Sequence, residues 1–303
     1  MNNRKIPIVF AFDDNYALPA SIAIKSLLDS KRLTTQYEII VFHSGLNPKT
    51  IRKMEKITPI KWIRVDKKSL PDIPVGWSGL ETWYRLLMAD LLPEYDRVIW
   101  SDVDVLFRHD LSDIFNMDMN GADWAGVAAE RADEKNGIHA HFTENKKPFI
   151  YMPGFMIADT KLWRDKNIFS KFVKVIKKYG KKLKMFDLDT LNLAADKIAP
   201  VPFEYCVLEN IYDNENIENS PEYPWLARVH GHGALLAAKQ NPVIIHYAGK
   251  WPKIWNRPKN EIPEYYMRYI KQSPFKKRKS YFAKLLRKTR NSLRRLWRHI
   301  KWW

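Results

Sequence analysis

Arg97-Val98-Ile99-Trp100-Ser101-Asp102-Val103-Asp104-Val105-Leu106-Phe107 sets a mostly apolar run against two acids that bracket a valine, after which apolar residues resume at once. A strand buried on both faces reads as a continuous apolar run, and an unpaired charge inside it is costly. The strand is therefore expected to end near Ser101, leaving Asp102 and Asp104 at its carboxyl end, the edge where open α/β sheets bind ligands. Two carboxylates one residue apart suit a hard divalent cation, and such a cation can grip a diphosphate. The triplet alone equally describes a loop whose acids cap the next helix, since Asp110 and Asp113 follow closely.

The residues before this stretch supply its setting. Ile6 to Phe12 reads as a buried strand, Tyr37 to His43 as a second and Ile60 to Val65 as a third. Between them, Ala20, Ala23, Ile24, Leu27 and Leu28 recur at helical spacing, and Ile51, Met54 and Ile57 mark a shorter helix. Strands alternating with helices predict a parallel sheet with crossover helices. Asp13, just past the first strand, occupies a position suited to holding a nucleotide. No Gly-x-Gly-x-x-Gly or P-loop pattern follows, which disfavours an ordinary dinucleotide or ATP site.

Beyond the acidic stretch, Trp124 to Ala129 and Ile150 to Ile157 read as strands, the latter interrupted by Pro153-Gly154. Thr82 to Leu92, Leu111 to Met117 and Lys161 to Tyr179 read as helices, and another opens at Asp187-Leu188-Asp189. Residues 130–148 are polar and irregular, carrying His139 and His141, and fit either a loop over a site or a surface insertion. Residues 203–240, with Pro221 and Pro224, are expected to be irregular, and His230 and His232 there read as loop polar residues. Val243 to Gly249 reads as a strand delivering His246 to its carboxyl end, where a histidine and two carboxylates make a plausible metal set.

Composition narrows the class. The 303 residues are 46% hydrophobic, enough for a large core, and Cys206 is the one cysteine. That excludes an internal disulfide and fits a reducing compartment. No apolar run approaches the roughly 20 residues of a membrane-spanning helix, and the N-terminal run is too short and too soon acidic for a signal peptide. The net charge is +17, yet residues 271–303 carry 13 Lys and Arg and no acid, while residues 1–270 hold 38 basic and 34 acidic side chains. The basicity belongs to a tail.

Together the segments resemble the family-8 glycosyltransferases, retaining enzymes with a GT-A fold, over about residues 6–256. Phe10-Ala11-Phe12-Asp13-Asn15-Tyr16 is similar to the family's first-strand nucleotide motif, with Asp14 between, which implies uridine contacts from Ala11, Asp13, Asn15 and Tyr16. Thr82-Trp83-Tyr84-Arg85-Leu86 resembles the helix carrying an arginine near the donor, so Arg85 is the candidate. Asp102-Val103-Asp104 resembles the family's Asp-x-Asp, which binds manganese (with magnesium as the alternative ion), and His246 matches its third ligand. Asp187-Leu188-Asp189-Thr190-Leu191-Asn192 looks like the segment whose first acid contacts the donor sugar hydroxyls, with Asp189 a second candidate catalytic acid. His246-Tyr247-Ala248-Gly249 followed by Lys253 and Trp255 resembles the closing His-x-x-Gly…Lys-Pro-Trp, in which Gly249 and a lysine meet the diphosphate. Here the motif reads Lys250-Trp251-Pro252-Lys253-Ile254-Trp255, so either Lys250 or Lys253 can take that role. The family's Phe-Asn-Ala-Gly becomes Tyr151-Met152-Pro153-Gly154. Leu188 stands where relatives often carry glutamine, and a leucine cannot act as a nucleophile. The implied chemistry is transfer of glucose or galactose from a UDP-sugar to a lipid-linked saccharide such as lipopolysaccharide core, by same-face attack of the acceptor hydroxyl.

Residues 257–303 are read as a basic, aromatic tail. Phe282, Leu285, Leu286, Leu293, Leu296, Trp297 and Ile300 fall on one helical face, with Lys and Arg covering the rest. Such a helix lies on anionic membranes, which predicts a cytoplasmic protein peripheral to the inner face of the plasma (inner) membrane, held through residues 272–303. A nucleic-acid arm needs no regular apolar face, so no nucleic acid is expected. Two other classes fit parts of the pattern. A basic nucleic-acid-binding protein accounts for the tail but not for acids and a histidine at strand ends. A catalytically degenerate GT-A scaffold is left open by the altered Tyr-Met-Pro-Gly and lysine motifs.

Overall fold

The computed structural model describes residues 5–74, 79–134, 139–142, 145, 147–249 and 252–275. Ten strands run in chain order as β1 (Ile6–Ala11), β2 (Tyr37–His43), β3 (Ile60–Arg64), β4 (Val98–Ser101) and β5 (Val105–Phe107), then β6 (Trp124–Arg131), β7 (Phe149–Ala158), β8 (Ile198–Val201), β9 (Val207–Leu208) and β10 (Ile244–His246). Seven form a sheet of order β3-β2-β1-β4-β7-β6-β8, and the other three a small sheet of order β5-β10-β9. In the large sheet β7 is antiparallel to β4 and β6 and the remaining pairs are parallel. This is the mixed, mostly parallel α/β architecture that alternating strands and helices dictate.

Alternate residues of the central strands feed two cores. Ile8, Phe10, Ile39, Val41 and Ile99 pack on one face with the helix Ala17–Ser30, and Val9, Ile40, Phe42, Val98 and Trp100 pack on the other with the helix Ile168–Tyr179. Both faces being covered explains why these strands are apolar throughout. β1 and β4 are parallel neighbours, so Asp13 and Asp102 leave the sheet from one edge.

Several elements differ from the expectations. Glu81–Leu87 is a 3-10 helix that becomes α-helical only over Met88–Leu91. The expected helix 161–179 is two, Thr160–Asp165 and Ile168–Tyr179, parted at Asn167, whose φ of 48° is one asparagine tolerates. Residues 203–240 are not irregular: Tyr223–His230 and His232–Gln240 are helices separated by Gly231 at φ 79°. Pro224 lies in the first turn of its helix, where no N–H is required, so it starts the helix rather than breaking it. Pro153-Gly154 does not break β7. The irregularity is taken up by register shifts against β6 at Gly126/Val127 and Ala128/Glu130.

The boundary expected at 256 falls in a packed region. Ile254, Trp255, Ile262, Tyr266, Met267 and Tyr269 form a third core with Leu18, Ile22, Leu106 and Ile245. Buried Arg257 reaches both carboxylate oxygens of buried Glu209. The expected tail lies, from residue 276 onward, outside the described residues. Among the described residues no helix is long and apolar enough to cross a membrane.

Candidate active site

β4 ends at Ser101, and within three residues the chain passes from the large sheet to the small one. Asp102 N–H donates to Gly154 O on β7 at 2.7 Å, whereas Asp104 O accepts from Tyr247 N–H, just past β10, at 2.8 Å. Val103, between them, is buried. The chain bends at Val103 and Asp104 between the two strands, and with Val103 buried the two acids are left on the same side as His246.

β10 ends in that cleft at His246. One ligand atom from each of Asp102, Asp104 and His246 lies within 4.8 Å of the others. His246 Nε2 is 3.3 Å from Asp104 Oδ1 and 3.9 Å from Asp102 Oδ2. On the far side of the ring, Nδ1 is 3.3 Å from the buried Cys206 sulfur, which leaves Nε2 to face the acids. Two hard carboxylates and an imidazole suit Mn2+ or Mg2+, so the donor set fits a divalent ion. A proton and such an ion compete for Nε2, which makes binding there stronger as pH rises.

Cations flank the acids. Lys253 Nζ donates to Asp104 Oδ2 at 2.8 Å and to Tyr247 O at 2.7 Å. Burial alone would raise the Asp104 carboxyl, but Lys253 and His246 hold it well below the usual carboxylate range. Lys250 is outside the described residues. Arg85 is buried under Trp100, its guanidinium carbon 4.8 Å from the ring centre. It donates to Asp102 Oδ1 at 2.7 Å, Pro153 O at 2.6 Å and Thr82 O at 2.9 Å, and its Nε is 3.1 Å from Asp187 Oδ2. The 3-10 turn of Glu81–Leu87 sets this buried arginine between the two acids.

Asp187 begins the helix Asp187–Ala194 behind Phe186, which takes a φ of 48°, a strained value for an aromatic residue. The turn aims Asp187 at Arg85. Asp189 points elsewhere, accepting Met185 N–H at 2.8 Å and pairing with His141 Nε2 at 3.0 Å. Leu188 between them is buried. Burial pushes the Asp187 carboxyl up to about 6, with Arg85 opposing and Asp102 adding to the rise. Its native pKa thus lies above the 3.8 of an unperturbed aspartate. The protonated form favours the native state, and that advantage is complete below pH 3.8 and lost as pH climbs through 6. A rise from 3.8 to about 6 is worth ~3 kcal/mol. Asp187→Asn cannot titrate. Its unfolding free energy relative to wild type should therefore improve by up to ~3 kcal/mol between pH 4 and 7. Denaturant titrations of both proteins across that range check this, and a constant difference would refute it.

The residues expected on the uridine side lie at the end of β1 and on the loop after it. Asp13 Oδ1 accepts the N–H groups of Asn15 and Tyr16 at 2.9 and 3.1 Å, a turn that fixes Asn15 and Tyr16 beyond half-buried Ala11. Asp14 is used differently, accepting from Thr50 and Asn47 at the start of the helix Pro48–Met54. The half-exposed Tyr16 ring meets Trp255 edge-on at 5.9 Å. Burial raises the Tyr16 hydroxyl pKa, and the charges of Asp104, Asp13 and Asp102 raise it further. Gly249 has φ 77°.

Three contributors were not legible as site residues: Cys206 behind His246, Trp100 beneath Arg85, and Gly154. A Cβ on Gly154 would sit 2.6 Å from His246 Cε1 and 3.1 Å from Asp102 Oδ2, so only hydrogen fits there. No local signal marks any of them, because each matters through residues distant in the chain. His230 and His232 do not form a site. His230 bonds Ala128 O and His232 bonds Tyr223.

The family model described as Glycosyl transferase family 8 matches residues 7–258. General stress protein A of Bacillus subtilis (strain 168) is 27% identical over 286 residues, covering 87% of this chain and 93% of its own length. Lipopolysaccharide 1,2-glucosyltransferase of Escherichia coli (strain K12) is 23% identical over 278 residues, covering 89% and 78%. The galactosyltransferase LgtC, solved with donor and acceptor sugar analogues, shares the fold at TM-score 0.69 and 19% identity, over 87% of this chain and 95% of its own. The apo bifunctional glycosyltransferase WbbM does so at TM-score 0.70 and 21% identity; the match takes in 88% of this chain but only 49% of WbbM, so the chain spans about half of it.

Proposed function

Because the chain belongs to glycosyl transferase family 8, we propose that it is a retaining hexosyltransferase moving glucose or galactose from a UDP-sugar to a lipid-linked saccharide such as lipopolysaccharide core. The observation that carries this reading is the convergence of Asp102, Asp104 and His246 on one cleft, with the Arg85–Asp187 pair on its wall. The similarity to a lipopolysaccharide 1,2-glucosyltransferase supports the acceptor class.

When bound by Asp102, Asp104 and His246, Mn2+ or Mg2+ supplies positive charge against the leaving diphosphate. Asp13, Asn15 and Tyr16 would hold the uridine with the backbone of Ala11, and Lys253 and the Gly249 turn would receive the phosphates beside Val103. Arg85 orients Asp187, whose carboxylate would accept donor-sugar hydroxyls. Asp189 would steady the start of that helix. With Leu188 unable to attack, the acceptor hydroxyl approaches the anomeric carbon on the face the diphosphate leaves, and the leaving phosphate takes its proton.

The test is UDP release from a panel of UDP-sugars with and without Mn2+. Metal-dependent release from UDP-glucose or UDP-galactose, well above that from other donors, is expected. No release from any donor, with UDP still bound, would overturn the reading in favour of a scaffold. The basic residues 272–303 support attachment to anionic membrane.

A further inference from the structure

The helix Ile168–Tyr179 buries Ile168, Phe172 and Ile176 in the core, at positions i, i+4 and i+8. Its opposite side is lysine. Lys174, Lys177 and Lys178 are exposed there, and Lys181, Lys182 and Lys184 are exposed in the turn that follows. No acidic residue occurs between Lys166 and Asp187. Asp196, an acid brought near this helix by the fold, is engaged by Lys166 and Lys171 at its other end. The face is thus a built concentration of positive charge on an otherwise nearly balanced body.

Its position gives the charge a consequence. Lys184 precedes Asp187 by three residues, a span of at most ~10 Å even when extended. Phe186, between them, packs edge-on against Trp83 at 6.4 Å, next to the turn that carries Arg85. Whatever this face rests on lies beside the wall of the cleft.

We infer that the face Lys174–Lys184 docks on an anionic lipid bilayer and brings the cleft to the membrane surface. This rests on the proposed lipid-linked acceptor and says how the enzyme meets it. The charge complements a layer of anionic headgroups, to which clustered lysines adsorb. The large exposed hydrophobics among the described residues, Tyr16 and Leu33, are not on this face, so it adsorbs without inserting. The face carries lysine and no arginine and offers no row of exposed rings. It therefore lacks the planar forks and stacking surfaces with which proteins hold nucleic acids.

The experiment is a lysine-acylation footprint of the full chain, read by mass spectrometry. Phosphatidylglycerol–phosphatidylcholine vesicles are compared with pure phosphatidylcholine vesicles and with a single-stranded oligonucleotide. On the anionic vesicles, acylation of Lys174, Lys177 and Lys181 should slow by about fivefold or more. Lys49 and Lys56, exposed across the sheet, should keep their buffer rates. Lys174→Gln, Lys177→Gln and Lys181→Gln combined should lower the vesicle partition constant by about tenfold or more, with UDP release from the donor in solution unchanged. Vesicle binding that protects only lysines beyond 275 would overturn the inference and leave the tail reading standing. Uniform protection, no binding, or protection by the oligonucleotide alone would overturn it too. None of these outcomes depends on sugar transfer, so failure of the enzymatic reading is recognised separately, by absent UDP release.

Discussion

Asp102→Asn should lower metal-dependent kcat/KM by about three orders of magnitude, ~4 kcal/mol of transition-state stabilisation, while the protein stays folded. The amide keeps the shape of the carboxylate, and its oxygen still accepts from Trp100 Nε1, at 3.2 Å in the wild type, and from Arg85. Arg85 retains Asp187 as an anionic partner. What disappears is one of two negative charges that make the cleft competent for a divalent ion. A cation site with one carboxylate and one imidazole binds weakly, and under the proposed function the leaving diphosphate would have less charge compensation. UDP release against Mn2+ concentration, with circular dichroism of the same preparation, checks both halves. Full activity of the variant in chelator would sink the metal assignment.

Arg85→Ala should cost about 3–5 kcal/mol of unfolding free energy, a large fraction of a domain's stability. The guanidinium is 2% exposed and answers two carboxylates and two backbone carbonyls at once. Alanine leaves Asp102 and Asp187 facing one another without the guanidinium and removes a donor from each of the Pro153 and Thr82 carbonyls. It also opens a void beside Trp100. Arg85→Lys should recover only part of the loss, because one ammonium cannot replace a planar fork with donors on separate nitrogens. Adding Asp187→Asn to Arg85→Ala should restore stability, since the worst consequence is an unpaired acid. Urea midpoints of the three variants decide this. A loss below about 1 kcal/mol for Arg85→Ala would mean that the pair is not desolvated as the fold implies.

Much of this arrangement is legible in the sequence, for a physical reason. The central strands are buried on both faces and must be apolar throughout, so an acid can appear only where a strand ends. Asp13, Asp102 and His246 are therefore placed by burial alone. Arg85 and Asp187 are visible as residues of a familiar pattern, but their direct pairing is not, because it needs a 3-10 turn and a positive φ at Phe186 that no local rule demands. Asp189 shows the reverse case. It lies two residues from Asp187 and looks equivalent, yet a helix turns successive residues about 100° apart, and it meets His141 instead of the cleft. The helices within 223–240 were hidden by prolines that read as breakers until the first turn of one of them contained Pro224. Cys206 and Gly154 act through contacts that only the folded chain creates.

The passage of the chain between sheets at Asp102–Asp104 also bears on when the cleft comes into being. Asp104 meets His246 across 142 residues and Lys253 across 149. Closing so long a loop costs entropy before its contacts repay it, so the last ligand arrives late in folding. On the ribosome, β1 to β8 can pair before residues 244–253 have been made, and until then the two acids have neither imidazole nor ammonium. A divalent ion offered early would find two of the three candidate ligands. Bound after β10 has joined β5, it would tie the two sheets together at their junction and stabilise the finished protein over every shorter chain.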